Sequence, residues 1–103
     1  MALTLDQQFS PHPDVVDTEL DEQETVLLHL HSKLYYTLNS TGTRIWQGFK
    51  KHLSLWQISH LLQQEFIVEA ETADVIVLQF ANELWRRELL LVAKVKSNRG
   101  EPS

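Results

Sequence analysis

Residues 33–46 read KLYYTLNSTGTRIW, and this stretch decides the fold. As far as Leu38, bulky apolar side chains recur at every second position, which is the period of a strand with one covered face. Asn39 and Ser40 then offer side-chain oxygens that can cap the free amides at a helix start. The stretch therefore predicts a strand that passes directly into a helix over residues 40–51. The covered face of this strand is predicted to consist of Leu34, Tyr36 and Leu38.

The preceding residues predict the rest of a small sheet. Residues 25–31 alternate with the same period and form the partner strand of a hairpin. Its apolar face, expected to match that of the next strand, is Val26, Leu28 and Leu30, and its other face is Thr25, Leu27, His29 and His31. Residues 15–20 predict a weaker outer strand, joined to the hairpin by the acidic turn at residues 21–24.

Two further helices are predicted after residues 33–46. Ser54 and Gln57 have the spacing of a capping box and predict a second helix. A third helix is predicted over residues 69–88 with two apolar stripes. One stripe is Ala73, Val77, Phe80, Ala81 and Leu84, and the other is Val75, Leu78, Asn82 and Trp85. Because two stripes need two neighbours, the second stripe faces the other helices, the back of the hairpin, or a groove open to a ligand.

Composition limits the possible functions. The chain has 103 residues, of which 43% are hydrophobic, and this suits one small domain. A formal net charge of −5 opposes binding to nucleic acid and to anionic membranes. The absence of cysteine excludes disulfides and thiolate chemistry, and no apolar run approaches the roughly 20 residues of a membrane span. We therefore expect a cytoplasmic protein without a nucleic-acid or membrane partner.

The sequence offers no constellation for catalysis, metal or cofactor. His29 and His31 lie on one face of a predicted strand, but a third metal ligand is not evident. A single glycine at position 42 cannot form a phosphate-cradling loop, and no nucleophile has a recognisable local motif. We expect no enzyme activity, no metal and no cofactor.

The order of three strands and three helices predicts an α+β domain in which a small antiparallel sheet packs on helices, and a winged-helix-like fold satisfies it. Residues 35–46 fit the pattern Tyr-Tyr-x-Leu-Asn-x-x-Gly-x-x-Ile-Trp. In this pattern the chain resembles the PqqD family, whose members bind the leader segment of a ribosomally made precursor peptide. The resemblance implies the same winged-helix-like layout across residues 14–92. It is most distinctive in residues 35–46.

The function that the resemblance implies is that of a non-catalytic adaptor. It would bind the leader segment and present it to a separate modifying enzyme, such as a radical enzyme or a leader peptidase. The pathway would be maturation of the pyrroloquinoline quinone type or of the lasso-peptide type.

Two positions depart from the family pattern. Lys33 stands where the family often has a glycine in the hairpin turn, and Glu88 stands where a glycine commonly precedes the final Leu-Leu pair. Glycine at such positions supplies a positive φ, which other residues adopt only at a cost. The conformations of the hairpin turn and of the exit from the third helix are therefore open.

The expected binding mechanism is addition of the peptide to the edge of the sheet. The last strand of the meander has one row of unpaired backbone groups, and an extended peptide can pair with it. By the resemblance, the leader lies antiparallel on this edge, between the strand and the third helix. The predicted peptide-binding residues are Tyr35, Thr37, Leu38, Val75, Leu78, Asn82, Trp85 and Arg86.

Two alternatives remain beside the adaptor. A scaffold with a degenerate winged-helix fold would bind a folded protein through Trp85, although Trp56 is a second candidate for an exposed anchor. A winged-helix DNA-binding regulator would need a basic third helix, whereas this one is rich in Glu and Asp. The predicted domain organisation is a flexible arm at residues 1–13, the peptide-binding domain at 14–93 and a polar tail at 94–103.

Overall fold

The computed structural model of the chain describes residues 3–21 and 23–93. Its elements, in chain order, are β1 (Phe9–Pro11), β2 (Val15–Asp21), β3 (Glu24–His29), β4 (Tyr35–Leu38), α1 (Ser40–Lys50), α2 (Leu55–Glu65), α3 (Ala70–Arg86) and β5 (Leu90–Val92). The predicted α+β arrangement, a three-stranded sheet followed by three helices, is confirmed. The predicted C-terminal tail lies outside the described residues.

The three-stranded sheet is antiparallel in the order β2-β3-β4, so β3 is central and β4 is an edge. The register pairs Thr25 with Leu38 and Leu27 with Tyr36. Paired residues share a face, so Tyr36 and Leu38 lie on the same side as Thr25 and Leu27. Leu38 is buried and Tyr36 half-buried on this side, as the alternation predicts.

The predicted inner face of β3 is wrong. Thr25 and Leu27 are fully buried and His29 is 4% exposed, whereas the predicted apolar face, Val26, Leu28 and Leu30, lies on the outside of the sheet. The cause is a polar pair that the apolar pattern does not reveal. The hydroxyl oxygens of Thr25 and Thr43 lie 3.0 Å apart, and this buried hydrogen bond joins β3 to α1. Leu34 is also exposed, because it lies in the turn before β4 begins.

A second sheet pairs β1 with β5, where Phe9 lies opposite Val92 and Pro11 opposite Leu90. Phe9 is fully buried, and its ring meets that of Phe49 edge to face, with centroids 6.2 Å apart. The prediction of a flexible arm over residues 1–13 therefore differs from the structure at Phe9–Pro11. The two prolines suggested an extended lead-in, but a buried aromatic and strand pairing with a distant segment hold this part of the chain in the domain.

The helix starts follow the predicted caps. The Asn39 side chain accepts a hydrogen bond of 2.9 Å from the backbone N–H of Gly42. Ser54 and Gln57 form both halves of a capping box at the start of α2. In the part of the chain that the structure describes, no helix is long and apolar enough to cross a membrane.

The close contact between α1 and α2 requires a glycine at position 48. A Cβ atom added at Gly48 of α1 would lie 2.6 Å from Cγ1 of Ile58 in α2. The largest fully buried side chains are Trp46, Phe9 and Phe49, and the Phe49 ring meets the rings of the other two edge to face.

Asp17 of β2 ties the sheet to α1. Its carboxylate accepts hydrogen bonds from the Trp46 indole at 3.2 Å and from the Lys50 ammonium at 2.8 Å. Burial pushes the pKa of Asp17 upwards, but the hydrogen bonds from Lys50 and Trp46 outweigh it, so the pKa of this carboxyl is lower than usual. Asp17 therefore stabilises the fold most in its ionised form.

Left-handed backbone occurs at both positions that depart from the family pattern. Lys33 has a φ of 65° and Glu88 a φ of 64°, and His52 after α1 has a φ of 61°. The turn at Lys33 is closed by its N–H, which donates to the His29 carbonyl at 2.7 Å. The chain thus keeps the conformation that glycine favours while carrying side chains there.

We predict that Lys33→Gly and Glu88→Gly each raise the free energy of unfolding by about 0.5–1 kcal/mol, because relief of the left-handed strain exceeds the added entropy of glycine in the unfolded chain. Urea denaturation measures this change. Lys51→Gly is the control, since Lys51 has a φ of −92° and is expected to lose stability. A loss of stability in all three variants would contradict the prediction.

The ionised form of Asp17 leads to a pH prediction. A carboxyl whose pKa is lowered by folding contributes stability above its unfolded pKa of about 3.9, and this contribution disappears as the pH falls through the folded value. Asp17→Asn should cost about 1 kcal/mol at pH 7 and progressively less below about pH 4. Thermal or urea unfolding across this pH range tests it, and a difference that is constant with pH argues against it.

The close approach of α3 to the start of α1 can be tested by a double-mutant cycle. A Cβ atom at Gly42 would lie 3.2 Å from Cζ of Phe80 and 3.3 Å from Cβ of Leu38. Gly42→Ala should therefore gain nothing in the native chain. In the Phe80→Ala background, where the ring contact is gone and the Leu38 contact remains, the same change should be more favourable than in the native chain by about 0.5 kcal/mol, because helix propensity is then opposed by one contact only. Equal effects in both backgrounds would refute the contact.

Candidate functional site

The free edge of β4 exposes a defined set of backbone groups. The N–H of His29 donates to the carbonyl of Leu34 at 3.0 Å, which makes these two a hydrogen-bonded pair. In an antiparallel ladder such pairs alternate, so Leu34, Tyr36 and Leu38 direct their backbone groups towards β3. Tyr35 and Thr37 therefore direct theirs away from it. Because β4 is an edge of the sheet, these groups have no partner strand among the described elements.

A groove opens at the Leu38 end of this edge, between the end of β4, the start of α1, and α3. Its larger part is a cavity of about 580 Å³ lined by Asp21, Gln23, Glu24, Thr37, Leu38, Asn39, Ser40 and Phe80. Next to it, a cavity of about 290 Å³ is lined by Asn39, Thr41, Gly42, Ile45, Ile76, Gln79, Phe80 and Glu83. Phe80 and Asn39 belong to both, so the two cavities form one groove. Its apolar side chains suit those of an extended segment lying along β4.

The charged side chains near β4 differ between the two ends of the strand. At the Leu38 end, the cavity is lined by Asp21 and Glu24. At the Tyr36 end, the guanidinium carbon of Arg87 lies 5.5 Å from the centre of the Tyr36 ring. Arg87 also pairs with Glu83 at 3.2 Å, and the side chains of Tyr36 and Glu83 raise the pKa of the guanidinium above its usual value.

The structure divides the predicted peptide-binding residues between two regions. On the strand, Leu38 is buried and lines the groove. The side chains of Tyr35 and Thr37 are exposed, and their backbone groups point away from β3, towards the free edge. On α3, Leu78 and Asn82 line a small cavity with Leu3.

The other predicted helix residues line further cavities of α3 or none. Trp85 and Arg86 line a cavity with His12 and Leu90. Arg86 and Asn82 also line a cavity with Glu83 and Arg87. Val75 is exposed and lines none of the cavities described above. The second apolar stripe of α3 is thus covered in part by the N-terminal segment and β5, which the predicted flexible arm did not allow for.

The α3 side chains that border the groove are not among the predicted peptide-binding residues. Phe80, which belonged to the predicted core stripe, and Ile76 are only half-buried and line the groove. Glu83 and Arg87 complete this flank. Helical periodicity indicates that Phe80 is apolar and faces inwards, but it does not indicate that one edge of its ring borders a groove.

Burial distinguishes the two tryptophans that are candidates for an exposed anchor. Trp85 is half-buried and packs on the core, whereas Trp56 is 55% exposed and stacks on His60, with ring centroids 5.0 Å apart. Of the two tryptophans, Trp56 is therefore the exposed one. Within residues 3–21 and 23–93, no group of three or more His, Cys, Asp or Glu side chains could hold a metal ion.

Comparison with known proteins agrees with this geometry. The family model described as PqqD, coenzyme PQQ synthesis protein D, matches residues 24–90. A solved structure of TbiB1 in complex with the TbiA(beta) leader peptide is 30% identical, with a TM-score of 0.75, over 79% of this chain and 93% of that one. A lasso peptide synthetase B1 complexed with its leader peptide is 25% identical, with a TM-score of 0.74, over 81% of this chain and 96% of that one.

A search among curated proteins gave no match. The family match covers well over half of the chain and includes the β3–β4 hairpin and all three helices. The chain therefore belongs to the PqqD family.

Proposed function

We propose that this protein is a leader-peptide-binding adaptor, which takes the leader segment of a ribosomally made precursor peptide by strand addition to β4. The observation that carries the proposal is the unpaired edge of β4, which ends at a groove with the apolar side chains of Leu38, Phe80 and Ile76 in its lining. The leader-peptide complexes of the two solved relatives support it.

The docked peptide would run antiparallel to β4 and exchange hydrogen bonds with the backbone of Tyr35 and Thr37. Its residues opposite Tyr36 and Leu38 would then direct their side chains inwards, towards Phe80 and Ile76. Its alternate residues would lie on the outer face of the sheet. Main-chain pairing of this kind gives a moderate affinity, about micromolar, and so allows release of the processed peptide.

This geometry refines the set of binding residues. Tyr35, Thr37 and Leu38 keep their roles, the first two through their backbone groups. On the helix, the lining of the groove favours Ile76, Phe80 and Glu83, with Arg87 at the Tyr36 end. Asn82 and Arg86 line the cavity next to Arg87 and could contact a longer peptide. Val75, Leu78 and Trp85 would take part only if the peptide crossed α3.

The adaptor would act without catalysis, by holding the leader while a separate modifying enzyme works on the rest of the precursor. The lasso-peptide type of maturation is favoured over the pyrroloquinoline quinone type, because a solved relative of 25% identity carries that name. A cytoplasmic location fits a chain without cysteine.

Blocking the edge of β4 tests the proposal. Thr37→Pro removes a backbone donor that no described strand uses and places a ring against the peptide, so the sheet keeps its internal hydrogen bonds. We expect the affinity for a labelled leader peptide, taken from a short reading frame beside the gene, to fall at least about tenfold. Fluorescence anisotropy measures the affinity, and circular dichroism confirms that the variant is folded.

Glu19→Pro is the matched control, because Glu19 has the corresponding parity on the opposite edge of the sheet, in β2. Its affinity should stay within about twofold of the original chain. Equal affinity of Thr37→Pro and the original chain would exclude strand addition on β4.

A further inference from the structure

Charged side chains lie near both ends of β4, where the two ends of a docked peptide would lie. The carboxylates of Asp21 and Glu24 line the Leu38 end of the groove together with the apolar side chains of Leu38 and Phe80. The ion pairs of the described residues include neither carboxylate. The hydrogen bond that Asp21 accepts from the backbone N–H of Gln23, at 2.7 Å, leaves its charge in place. This end of the groove is therefore open, acidic and next to an apolar floor.

The start of α1 reduces this negative charge only in part. Asn39 and Ser40 line the same cavity, and a helix N-terminus carries about half a positive charge. The two negative charges of Asp21 and Glu24 exceed this half charge. The Asn39 side chain already accepts from Gly42, so one of the free helix amides is satisfied within the chain.

Cations lie near the opposite end of β4, where Arg87 stacks on Tyr36. Arg86 and Arg87 line a cavity of about 410 Å³ together with Glu83, which also borders the groove beside β4. Arg86 has no ion-pair partner among residues 3–21 and 23–93. A basic side chain on the peptide would therefore gain more at the Leu38 end than at this end.

The direction of the peptide converts this charge difference into a sequence preference, and this step rests on the proposed function. A strand antiparallel to β4 has its N-terminal residues beside Leu38 and its C-terminal residues beside Tyr35. Its N-terminal flank therefore lies at Asp21 and Glu24, while its inward residues face Leu38, Phe80 and Tyr36.

We propose that this chain selects leader segments in which a lysine or arginine stands one to three residues before a pair of apolar side chains separated by one residue. The apolar pair fills the groove opposite Leu38 and Tyr36, and the basic side chain pairs with Asp21 and Glu24. The same composition in the reverse order places the cation beside Arg86 and Arg87.

Selection from a library of random displayed peptides tests the proposal without knowledge of the native leader. The original chain should enrich peptides with the basic residue before the apolar pair. Asp21→Asn/Glu24→Gln should remove this bias. Glu69→Gln/Glu71→Gln is the control, because it changes the net charge by the same amount at the far end of α3.

One enriched peptide and its charge-reversed version then give the size of the effect. The original chain should bind the enriched order about fivefold more tightly at low salt, and the preference should fall as salt screens the exposed charges. Asp21→Asn/Glu24→Gln should bind both orders within about twofold of each other. Equal binding of both orders by the original chain, or a preference that survives in that variant, would overturn the inference.

The Thr37→Pro variant distinguishes failure of this inference from failure of the proposed function. Enriched peptides that bind the original chain, lose binding to Thr37→Pro and lack the basic residue contradict the inference alone. Peptides that bind Thr37→Pro equally well, or a selection that yields no binder, contradict strand addition itself and the inference with it.

Discussion

The contact of Leu38, Gly42 and Phe80 is the constraint on which the structure of the groove depends. At this point the end of β4, the first turn of α1 and the middle of α3 approach so closely that a Cβ atom at Gly42 would lie 3.2–3.3 Å from the other two side chains. The Asn39 cap fixes where α1 begins, and the buried hydrogen bond between Thr25 and Thr43 fixes how β3 lies on it. Together these contacts hold α3 beside β4 but apart from its edge.

The open edge of β4 is therefore a property of the fold itself. The hairpin is supported from one side by α1, and β1 pairs with β5 in a separate sheet. No described element covers the backbone of Tyr35 and Thr37. An exposed strand edge is a liability for a monomeric protein, because it can pair with any extended chain. Here the edge is only four residues long.

The sequence predicts the local elements well because their determinants are local. The alternation before Leu38, the Asn39 cap and the capping box at Ser54 each involve a few neighbouring residues, and the structure contains all three. The family pattern at residues 35–46 also identifies the family to which the chain belongs, and it covers the strand-to-helix junction that borders the groove. The positive φ at Lys33 and Glu88 is consistent with a requirement of the backbone that persists when glycine is replaced.

The errors concern contacts between residues far apart in the sequence. The inner face of β3 depends on the pairing of Thr25 with Thr43, and the role of residues 9–11 depends on β5, about 80 residues later. Which apolar stripe of α3 faces the groove depends both on how β3 packs and on where residues 9–11 lie. Phe80, Ile76 and Glu83 line the groove, whereas Leu78 and Trp85 line cavities with the N-terminal segment, and which of these two sets contacts a peptide stays a prediction. Helical periodicity contains no information on which neighbour meets which stripe.

Amide hydrogen exchange of β4, measured by NMR with and without a saturating leader peptide, tests the central claim most directly. The N–H groups of Tyr36 and Leu38 face β3 and should be protected in both states. Those of Tyr35 and Thr37 should exchange quickly in the free protein and become protected in the complex. If Tyr35 and Thr37 exchange at the same rate in both states while the peptide is bound, the peptide does not pair with β4, and the account of this site is wrong.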